Sequence, residues 1–395
     1  SNGLEKRPKL RFPGFDEPYK QCRIGDIYAE RSQRGASNME LLSVTMNDGV
    51  KPRSEIEGKD NSSEDKSNYK IVRKGDMVYN SMRMWQGANG ISRCDGIVSP
   101  AYTVLMPTQE INNGYFAALF KSANMINEFR KNSQGMTSDT WNLKYPQIET
   151  IKIQIPSVSE QDKVSELFGV LDARIVAQAQ LVESLKKYKR GVVRTLLSPK
   201  HCSIKNVKWT TSRIGDIGIF IKGAPLSKAD ISLEGTPFIL YGELYTTYSE
   251  VISNVVRKTQ ASVDKQYYSQ IGDVIIPTSG ETPEEISTAS CVMLPDIILA
   301  GDLNIYRCTQ VDGRIMSYIL NHVVNDRIAR IAQGKSIVHV QAADISKIEI
   351  TYPDPFSQKT IIAILAAISD RIDQSNAELR LLNELRKALL QKLFI

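Results

Sequence analysis

The fold is decided by a stretch that occurs twice, IKIQIPSVSEQDKVSELFGVLDARI at 151–175 and IEITYPDPFSQKTIIAILAAISDRI at 348–372. The two copies align without a gap at a spacing of 197 residues, so that Pro156 matches Pro353. The alignment continues to the last residue. A segment that occurs twice in this way indicates that the chain consists of two related halves.

Weaker matches lie upstream of the stretch in the same order in both halves. They are Ile24-Gly25-Asp26-Ile27 with Ile214-Gly215-Asp216-Ile217, Lys74-Gly75-Asp76 with Ile271-Gly272-Asp273, and Gln134-Gly135 with Gln333-Gly334. Their spacing drifts from 190 to 199 residues, as insertions in loops would make it. A period near 200 indicates a duplicated domain, because solenoid repeats have periods of about 20 to 50 residues.

Each half begins with β-like segments, DMVYNSM and AYTVLM in the first and DVIIPTS and LNIYR in the second. One helix is predicted next, at 114–131 and at 313–332, followed by a Gln-Gly break and a last strand that ends at Pro156 or Pro353. Short strands with one or two helices predict a compact α+β unit, called a head below.

After each proline the apolar period changes to a heptad seam. We predict that the seam residues pair two helices of about 38 residues, or about 57 Å each. They are Val164, Leu167, Leu171, Leu181, Leu185, Tyr188 and Val192 in the first helix and Ile361, Ile364, Ile368, Leu382, Leu385 and Leu389 in the second.

The helix starts carry capping residues. Ser157 or Ser159 can cap the first helix, with Asp162 three residues beyond Ser159 in a position that resembles a capping box. In the second helix Asp354 or Ser357 can cap, and the proline between them is tolerated in the first turn. Each helix is therefore predicted to begin directly after the matched proline.

A long helix with one apolar seam needs a partner, and the chain supplies one of equal length. Gln178 and Ser375 interrupt the seams in midcourse, and Arg174 and Arg371 earlier, where polar residues fix register at a cost in stability. The alternative is an ordinary helical hairpin inside a core. The predicted fold is α+β: two similar heads separated by two long antiparallel helices that form a coiled-coil spacer, with an internal pseudo-twofold repeat.

The predicted boundaries follow from the repeat. They are 1–157 for the first head, 158–198 for the first long helix, 199–354 for the second head and 355–395 for the second long helix.

Bulk composition narrows the class of protein. The chain has 395 residues and a net charge of +6, an excess that fits nucleic acid and also many unrelated enzymes. Its five cysteines are too scattered to support zinc or a disulfide framework. The longest apolar run, 361–368, is shorter than the roughly 18 residues of a membrane span. Ser1-Asn2-Gly3 resembles a cloning remnant with no signal peptide after it, and we expect a cytoplasmic protein that has no membrane partner.

Catalytic patterns are weak. Residues 329–336 satisfy a permissive phosphate-loop pattern, but a helix precedes it and a strand follows, the reverse of the required context. Pro353-Asp354-Pro355-Phe356 resembles the adenine-pocket loop of amino-methyltransferases without its adjacent prolines or an upstream glycine-rich loop. The three histidines, His201, His322 and His339, form no triad or metal-ligand pattern. We predict no catalytic residue, no metal ligand and no cofactor.

Basic, amide, hydroxyl and aromatic residues follow glycine-rich segments in both heads. Such side chains contact base edges and phosphates: Arg suits guanine, Gln or Asn suits adenine, and Lys and Ser suit backbone oxygens. For any single residue a solvated loop or core packing is the alternative. The candidates for DNA contact are Arg83, Trp85, Gln86, Asn89, Lys131, Gln134, Ser138 and Trp141 in the first head, and Thr278, Ser279, Lys335, Ser336 and His339 in the second.

The sequence resembles the specificity subunit of type I restriction-modification systems. The resemblance is carried by PKLRFPGF at 8–15, by two heads that open with IGDI, and by the repeated strand, proline, Ser-Glu-Gln or Ser-x-Gln and long-helix module. It covers essentially the whole chain. The second copy departs from the pattern, because Phe356-Ser357-Gln358 lacks the glutamate of Ser159-Glu160-Gln161.

The resemblance implies a non-catalytic DNA-specificity subunit. Each head would be a target-recognition domain that reads half of a bipartite sequence in double-stranded DNA. The helices would set the spacer and dock two modification subunits, which carry the S-adenosylmethionine site and methylate adenine. Restriction subunits would add ATP-driven translocation and cleavage. The heads are expected about one duplex turn apart, roughly 34 Å.

Two alternatives stay open. A self-sufficient DNA methyltransferase or nuclease would bind S-adenosylmethionine, or cleave DNA with a metal, as the purified chain alone. A coiled-coil scaffold without a DNA role would keep its function after charge changes at Arg83, Gln134 or Lys335.

Overall fold

The computed structural model describes residues 8–35, 38–46, 49–58, 60, 62–334 and 338–394. The chain forms two compact units, Ser1–Gln180 with Asn376–Ile395, and Leu181–Ser375. Both long helices pass from one unit to the other. Within the described ranges, no helix has the length and apolar character needed to cross a membrane.

The first unit contains the first head. Its largest sheet is antiparallel and has the strand order β2-β9-β6-β7. Three further antiparallel pairs are β1 with β10, β3 with β4 and β5 with β8. The described strands are β1 (Lys20–Arg23), β2 (Tyr28–Glu30), β3 (Leu42–Thr45), β4 (Gly49–Pro52), β5 (Lys70–Val72), β6 (Met77–Asn80), β7 (Asn89–Ile91), β8 (Gly96–Val98), β9 (Tyr102–Pro107) and β10 (Lys152–Ile155). The helices are α1 (Ile24–Ile27), α2 (Asn113–Leu119), α3 (Ala123–Asn132) and α4 (Tyr145–Ile148), with 3-10 turns at Arg53–Glu55 and Met84–Gln86. The first long helix, α5 (Val158–Leu196), follows.

The second unit repeats this plan with a larger sheet, of order β12-β20-β16-β18-β14, beside a β15-β13-β19 sheet and the pairs β11-β22 and β17-β21. The described strands are β11 (Trp209–Arg213), β12 (Gly218–Lys222), β13 (Thr236–Leu240), β14 (Val251–Ile252), β15 (Lys258–Thr259), β16 (Asp273–Pro277), β17 (Ser279–Gly280), β18 (Ser290–Val292), β19 (Ile298–Ala300), β20 (Leu303–Cys308), β21 (Val338–His339) and β22 (Glu349–Pro353). The helices are α6 (Glu243–Thr246), α7 (Pro283–Ile286), α8 (Gly313–His322), α9 (Asn325–Ile331), α10 (Ala342–Ile345) and the second long helix, α11 (Pro355–Lys392), with 3-10 turns at Ile214–Asp216, Lys228–Asp230 and Lys265–Tyr267.

The predicted strands are present in both heads as β6, β9, β16 and β20. The prediction of one helix at 114–131 and one at 313–332 was wrong, because each of these spans holds two helices, α2 and α3 in the first head and α8 and α9 in the second. In the first head Ser122 stops the run and its Oγ accepts a hydrogen bond from Met125 N–H as the N-cap of α3. In the second head the β-branched pair Val323-Val324 separates α8 from α9, and such residues have low helix propensity.

The two long helices pair antiparallel within each unit. In the first unit the start of α5 meets the end of α11, where Phe168 stacks on Phe394 and Asp172 accepts from Arg386 at 2.5 Å. In the second unit the end of α5 packs in one core with the start of α11 around Ile361. The predicted α+β fold class, with two similar heads and two long antiparallel helices, is confirmed.

The predicted seam residues differ in burial, and four of them lie one residue before an inward position. Leu181, Tyr188, Ile364 and Leu385 are exposed. The next residue in each case, Val182, Lys189, Leu365 or Arg386, takes the inward position. Val164, Leu171 and Ile361 are buried, and Leu167, Leu185, Val192, Ile368, Leu382 and Leu389 are half-buried.

The error has a physical cause. The inward positions are spaced three or four residues apart and include Gln178 and Ser375, which are 3% and 2% exposed. One inward position is occupied by Lys189, which a search for apolar residues does not find. Arg174, expected in the seam, is exposed and bonds to Glu378 at 2.5 Å across the helix pair.

The second long helix is capped by Asp354. Its Oδ1 accepts from the backbone N–H groups of Phe356 and Ser357, and its Oδ2 accepts from the Ser357 hydroxyl at 2.7 Å. The Ser357 hydroxyl and the surrounding N–H groups lower the pKa of Asp354 to about 2. In the first long helix Asp162 bonds to Asn112 Nδ2 at 2.7 Å, so the capping box expected with Ser159 is absent.

Candidate nucleic-acid interface

The first loop of the candidate interface joins β6 to β7 in the first head. Residues 81–88 fold over the buried side chain of Met84, and Asn80 N–H bonds to Ala88 O at 3.0 Å at the base of the loop. Asn80 Oδ1 accepts from Met82 N–H and starts the turn. Arg83 is therefore held on the exposed side of a short, anchored hairpin loop.

The second loop runs from Gln134 to Asn142. These two residues exchange backbone hydrogen bonds of 3.0 and 2.8 Å that close the loop, and a Thr137–Thr140 turn lies inside it. Gly135 has φ +140°, and a Cβ there would lie 2.6 Å from Thr140 O. A glycine is therefore required, and the loop has a defined shape.

The two loops are joined to one another. Leu143 N–H donates to Ser81 O at 2.8 Å, and the Trp85 and Trp141 rings meet edge to face at 5.2 Å. The guanidinium of Arg130, at the end of α3, lies over the Trp85 ring at 5.4 Å. Edge-to-face rings and a cation over an aromatic face each stabilise such contacts, so the loops form one surface.

The second head has the same frame. Val340 N–H donates to Thr278 O at 3.1 Å, as Leu143 does to Ser81, and both residue pairs are related by 197 positions. Gln333 and His339 exchange backbone bonds of 2.9 and 2.8 Å, as Gln134 and Asn142 do. The second loop is two residues shorter between these closures, which accounts for the drift of the repeat from 199 to 197.

The predicted contact residues divide into groups by their exposure. Arg83, Lys131, Gln134, Ser138 and His339 are exposed, while Trp85, Gln86, Trp141 and Thr278 are half-buried. Lys131 is also paired with Glu128 at 2.7 Å. Lys335 and Ser336 lie outside the described residues.

Two of the predicted contact residues are corrected by their burial. Asn89 is fully buried in β7 and its Nδ2 donates to Gly87 O at 3.1 Å. Ser279 is 5% exposed in β17 and its hydroxyl donates to Asp302 at 3.2 Å. Both side chains lie in the interior, and neither can reach DNA from this position.

Sequence reasoning missed two residues of the first loop surface. Arg130 lies next to the candidate Lys131 on α3, but only the Trp85 contact reveals its part in the surface. Met136 is completely exposed in the second loop, directly before the Thr137–Thr140 turn. The sequence feature that could have indicated Met136 as a surface residue is its position directly after Gln134-Gly135.

A partly buried ionic cluster joins the first long helix to the second head. The Glu250 carboxylate accepts a hydrogen bond from Lys189 Nζ at 2.8 Å and lies 2.7 Å from His322 Nε2. Lys189 Nζ also lies over the Tyr318 ring. Burial alone would raise the pKa of Glu250, but the His322 hydrogen bond and the Lys189 charge lower it to about 2. The cluster explains why Lys189 occupies an inward position.

No described group of three or more His, Cys, Asp or Glu side chains is arranged to hold a metal ion. A cavity of about 500 Å³ in the second unit lies between the Gly272 turn and the start of α11. Four of its charged side chains form pairs, Arg307 with Asp273 and Arg314 with Asp312. Nucleophile, base and metal ligands do not converge in it.

The fold defines a class of protein: a duplicated chain with a pair of long helices and the same hydrogen-bonded loop frame in each head. Comparison with known proteins shows which family the chain resembles. Residues 206–384 match the family described as the type I restriction modification DNA specificity domain.

A curated relative is described as the type I restriction enzyme MjaX specificity subunit of Methanocaldococcus jannaschii. It is 23% identical over 294 residues, which is 71% of this chain and 66% of the relative. The match thus spans just under two thirds of the relative's length.

Two solved structures have the same fold over nearly the whole chain. One is the type I restriction-modification S subunit from M. genitalium, with TM-score 0.61, 16% identity and coverage of 98% and 99%. The other is a chain from a study of complex assembly and conformational transition of the type I R-M system, with TM-score 0.60, 14% identity and the same coverage. The resemblance to type I specificity subunits is confirmed.

Proposed function

We propose that this chain is the DNA sequence-specificity subunit of a type I restriction-modification complex and has no catalytic site of its own. Each head reads one half of a bipartite target in double-stranded DNA. The paired helices set the spacer between the half-sites and dock two modification subunits that methylate adenine. With restriction subunits the complex cleaves DNA. The assembly works in the cytoplasm.

The observation that carries the proposal is the loop frame repeated in the two heads. The same backbone bonds, from Leu143 to Ser81 and from Val340 to Thr278, support two loops whose sequences differ. A conserved frame with unlike loops suits two readers that share a docking geometry and recognise different bases. The half-sites should therefore differ, and the target should not be palindromic.

The side chains of the first loop surface fit both parts of DNA recognition. Arg83 and Gln134 can pair with the major-groove edges of guanine and adenine, and Lys131 and Ser138 can bond to phosphate oxygens. Phosphate contacts would make the affinity fall steeply with salt. The modification subunit, which brings S-adenosylmethionine, would flip the adenine into its own pocket.

The test is a genome-wide map of N6-methyladenine by single-molecule sequencing. The host carries the cognate modification subunit, with or without the gene for this chain. A bipartite motif with a fixed spacer should appear only when the gene is present. A motif that persists without the gene, or two proteins that fail to associate, would overturn the proposal.

A companion assay separates the other classes of protein. The purified chain is mixed with S-adenosylmethionine and DNA, and separately with Mg²⁺ and DNA. Methyl transfer or cleavage by the chain alone would identify an enzyme. Unchanged methylation after Arg83→Glu would instead favour a scaffold.

A further inference from the structure

We propose that the loop Gln134–Asn142 reads an A·T base pair in the half-site of the first head, with Gln134 on adenine and Met136 on the thymine methyl group. The inference deepens the proposed function and rests on it. It assigns two residues of one loop to the two bases of one pair.

Met136 is fully exposed. Its side chain is 100% exposed, and the residue lies between the backbone closure at Gln134 and the Thr137–Thr140 turn. Its apolar surface is therefore available to a partner, and it gains free energy only when a partner covers it.

The side chains of Gln134 and Met136 together suit one base pair. Gln134 lies two residues before Met136, is exposed, and carries the amide that pairs with adenine N6 and N7. An apolar side chain beside it meets the C5 methyl group, which only thymine presents in the major groove. An amide and a thioether chain on one loop together match the two bases of an A·T pair.

Contacts with the neighbouring hairpin loop hold the loop Gln134–Asn142 in place. The Leu143–Ser81 bond and the Trp85–Trp141 contact tie the loop to the hairpin loop that carries Arg83. Arg130 packs on Trp85 and is thereby held by the frame. We assign Trp85, Trp141 and Arg130 to positioning, and Gln134 and Met136 to contact with bases.

The experiment begins with methylation maps of variants expressed with the modification subunit. In Gln134→Ala or Met136→Ala, one A·T position of one half-site should become degenerate while the other half-site stays intact. Gln333→Ala is the matched variant, because Gln333 closes the loop of the second head, and it should affect only the other half-site. Leu233→Ala removes a side chain that is 96% exposed in the second unit and should leave the first half-site unchanged.

The methyl contact is tested by binding. Duplexes carrying the mapped target, with each thymine replaced in turn by deoxyuridine, are titrated with the complex of this chain and the modification subunit. One substitution should weaken binding about fourfold, the effect of one buried carbon group. Met136→Ala should remove that difference, and Gln134→Ala should weaken binding about five- to 150-fold.

The outcomes separate the two proposals. If the unaltered chain directs no bipartite methylation, the proposed function fails. If it does so, yet Met136→Ala keeps both the motif and the full deoxyuridine effect, the assignment of Met136 to thymine is overturned.

Discussion

Gln161 and Gln358 make the same two hydrogen bonds in the two halves of the chain. Gln161 Nε2 donates to Pro156 O at 3.0 Å, and its Oε1 accepts from the backbone N–H of Asn112 at 3.0 Å. Gln358 bonds in the same way at 2.8 Å to the carbonyl of the matched proline and to the backbone N–H of Asp312. Each glutamine thus joins a long helix to the last strand of the head and to the N-cap of a head helix.

Gln161→Ala and Gln358→Ala should each destabilise the unit that holds the glutamine. Both side chains are nearly fully buried, and their removal leaves a backbone N–H and a carbonyl without partners. Loss of such buried bonds costs about 1 to 3 kcal/mol. Urea unfolding followed by circular dichroism measures the change.

The control for this pair is Gln180→Ala, an exposed glutamine on the same first long helix. It should change the free energy of unfolding by less than about 0.5 kcal/mol. An equal loss of unfolding free energy in all three variants would show that the hydrogen bonds of Gln161 and Gln358 contribute no more to stability than an exposed glutamine does.

Glu250 should make stability depend on pH in the acid range. Its pKa in the folded protein, about 2, lies below the ordinary value of 4.5. The ionised carboxylate therefore stabilises the second unit above about pH 4.5, and the contribution is lost as pH falls from there through 2. Thermal unfolding between pH 7 and pH 2 should show this loss, and Glu250→Gln should flatten the curve in that window.

Lys189→Met gives the matched test of the same cluster. It removes the cation and keeps an unbranched side chain on the first long helix. Because Glu250 then loses the Lys189 charge and keeps only the contact with His322 in the cluster, the melting temperature at pH 7 should fall. A variant as stable as the unaltered chain would mean that the ion pair does not hold this helix to the head.

The long helices and the repeat could be predicted from sequence because both are periodic signals. The seam could not be assigned residue by residue, because the inward positions at Lys189 and Arg386 are charged. At Leu181 and Ile364 the neighbouring apolar residue, Val182 or Leu365, takes the inward position instead. Lys189 is compensated by Glu250, which lies 61 residues away in the chain. A local pattern does not contain that partner.

The candidate interface was predictable by segment and less so by residue. The two glycine-rich segments of the first head do meet, as the Trp85–Trp141 contact shows. The inward direction of Asn89 depends on the register of β7 against β6, which composition does not reveal. Met136 carries none of the polar groups by which DNA contacts are usually sought.

Gly135→Ala should impair target reading by the first head more than it impairs folding. Its Cβ would lie 2.6 Å from Thr140 O, at a φ that side chains rarely adopt, so the loop must change shape. We expect target affinity to fall at least about tenfold, with a loss of about 1 to 3 kcal/mol confined to the loop. Fluorescence anisotropy with the mapped duplex and thermal unfolding give the two values.

Two variants control for the glycine itself. Gly334→Ala alters the matched position, φ +132°, and should act through the other half-site. Gly169→Ala lies on the first long helix with open space around its Cβ, and should stabilise the helix by about 0.5 to 1 kcal/mol without affecting binding. Loss of binding in Gly169→Ala would remove the link between the loop and recognition.

Insertion of seven residues into both long helices, after Gln178 and after Ser375, should lengthen the spacer of the target. Seven residues preserve the alternation of three and four in the seam, so both helices can still pair. The added rise is about 10 Å, which corresponds to about three base pairs. A methylation map should show both half-sites unchanged with a longer gap between them. Insertion into one helix only puts the seams out of register and should abolish methylation, whereas altered half-sites after the double insertion would contradict the role of the helices in spacing.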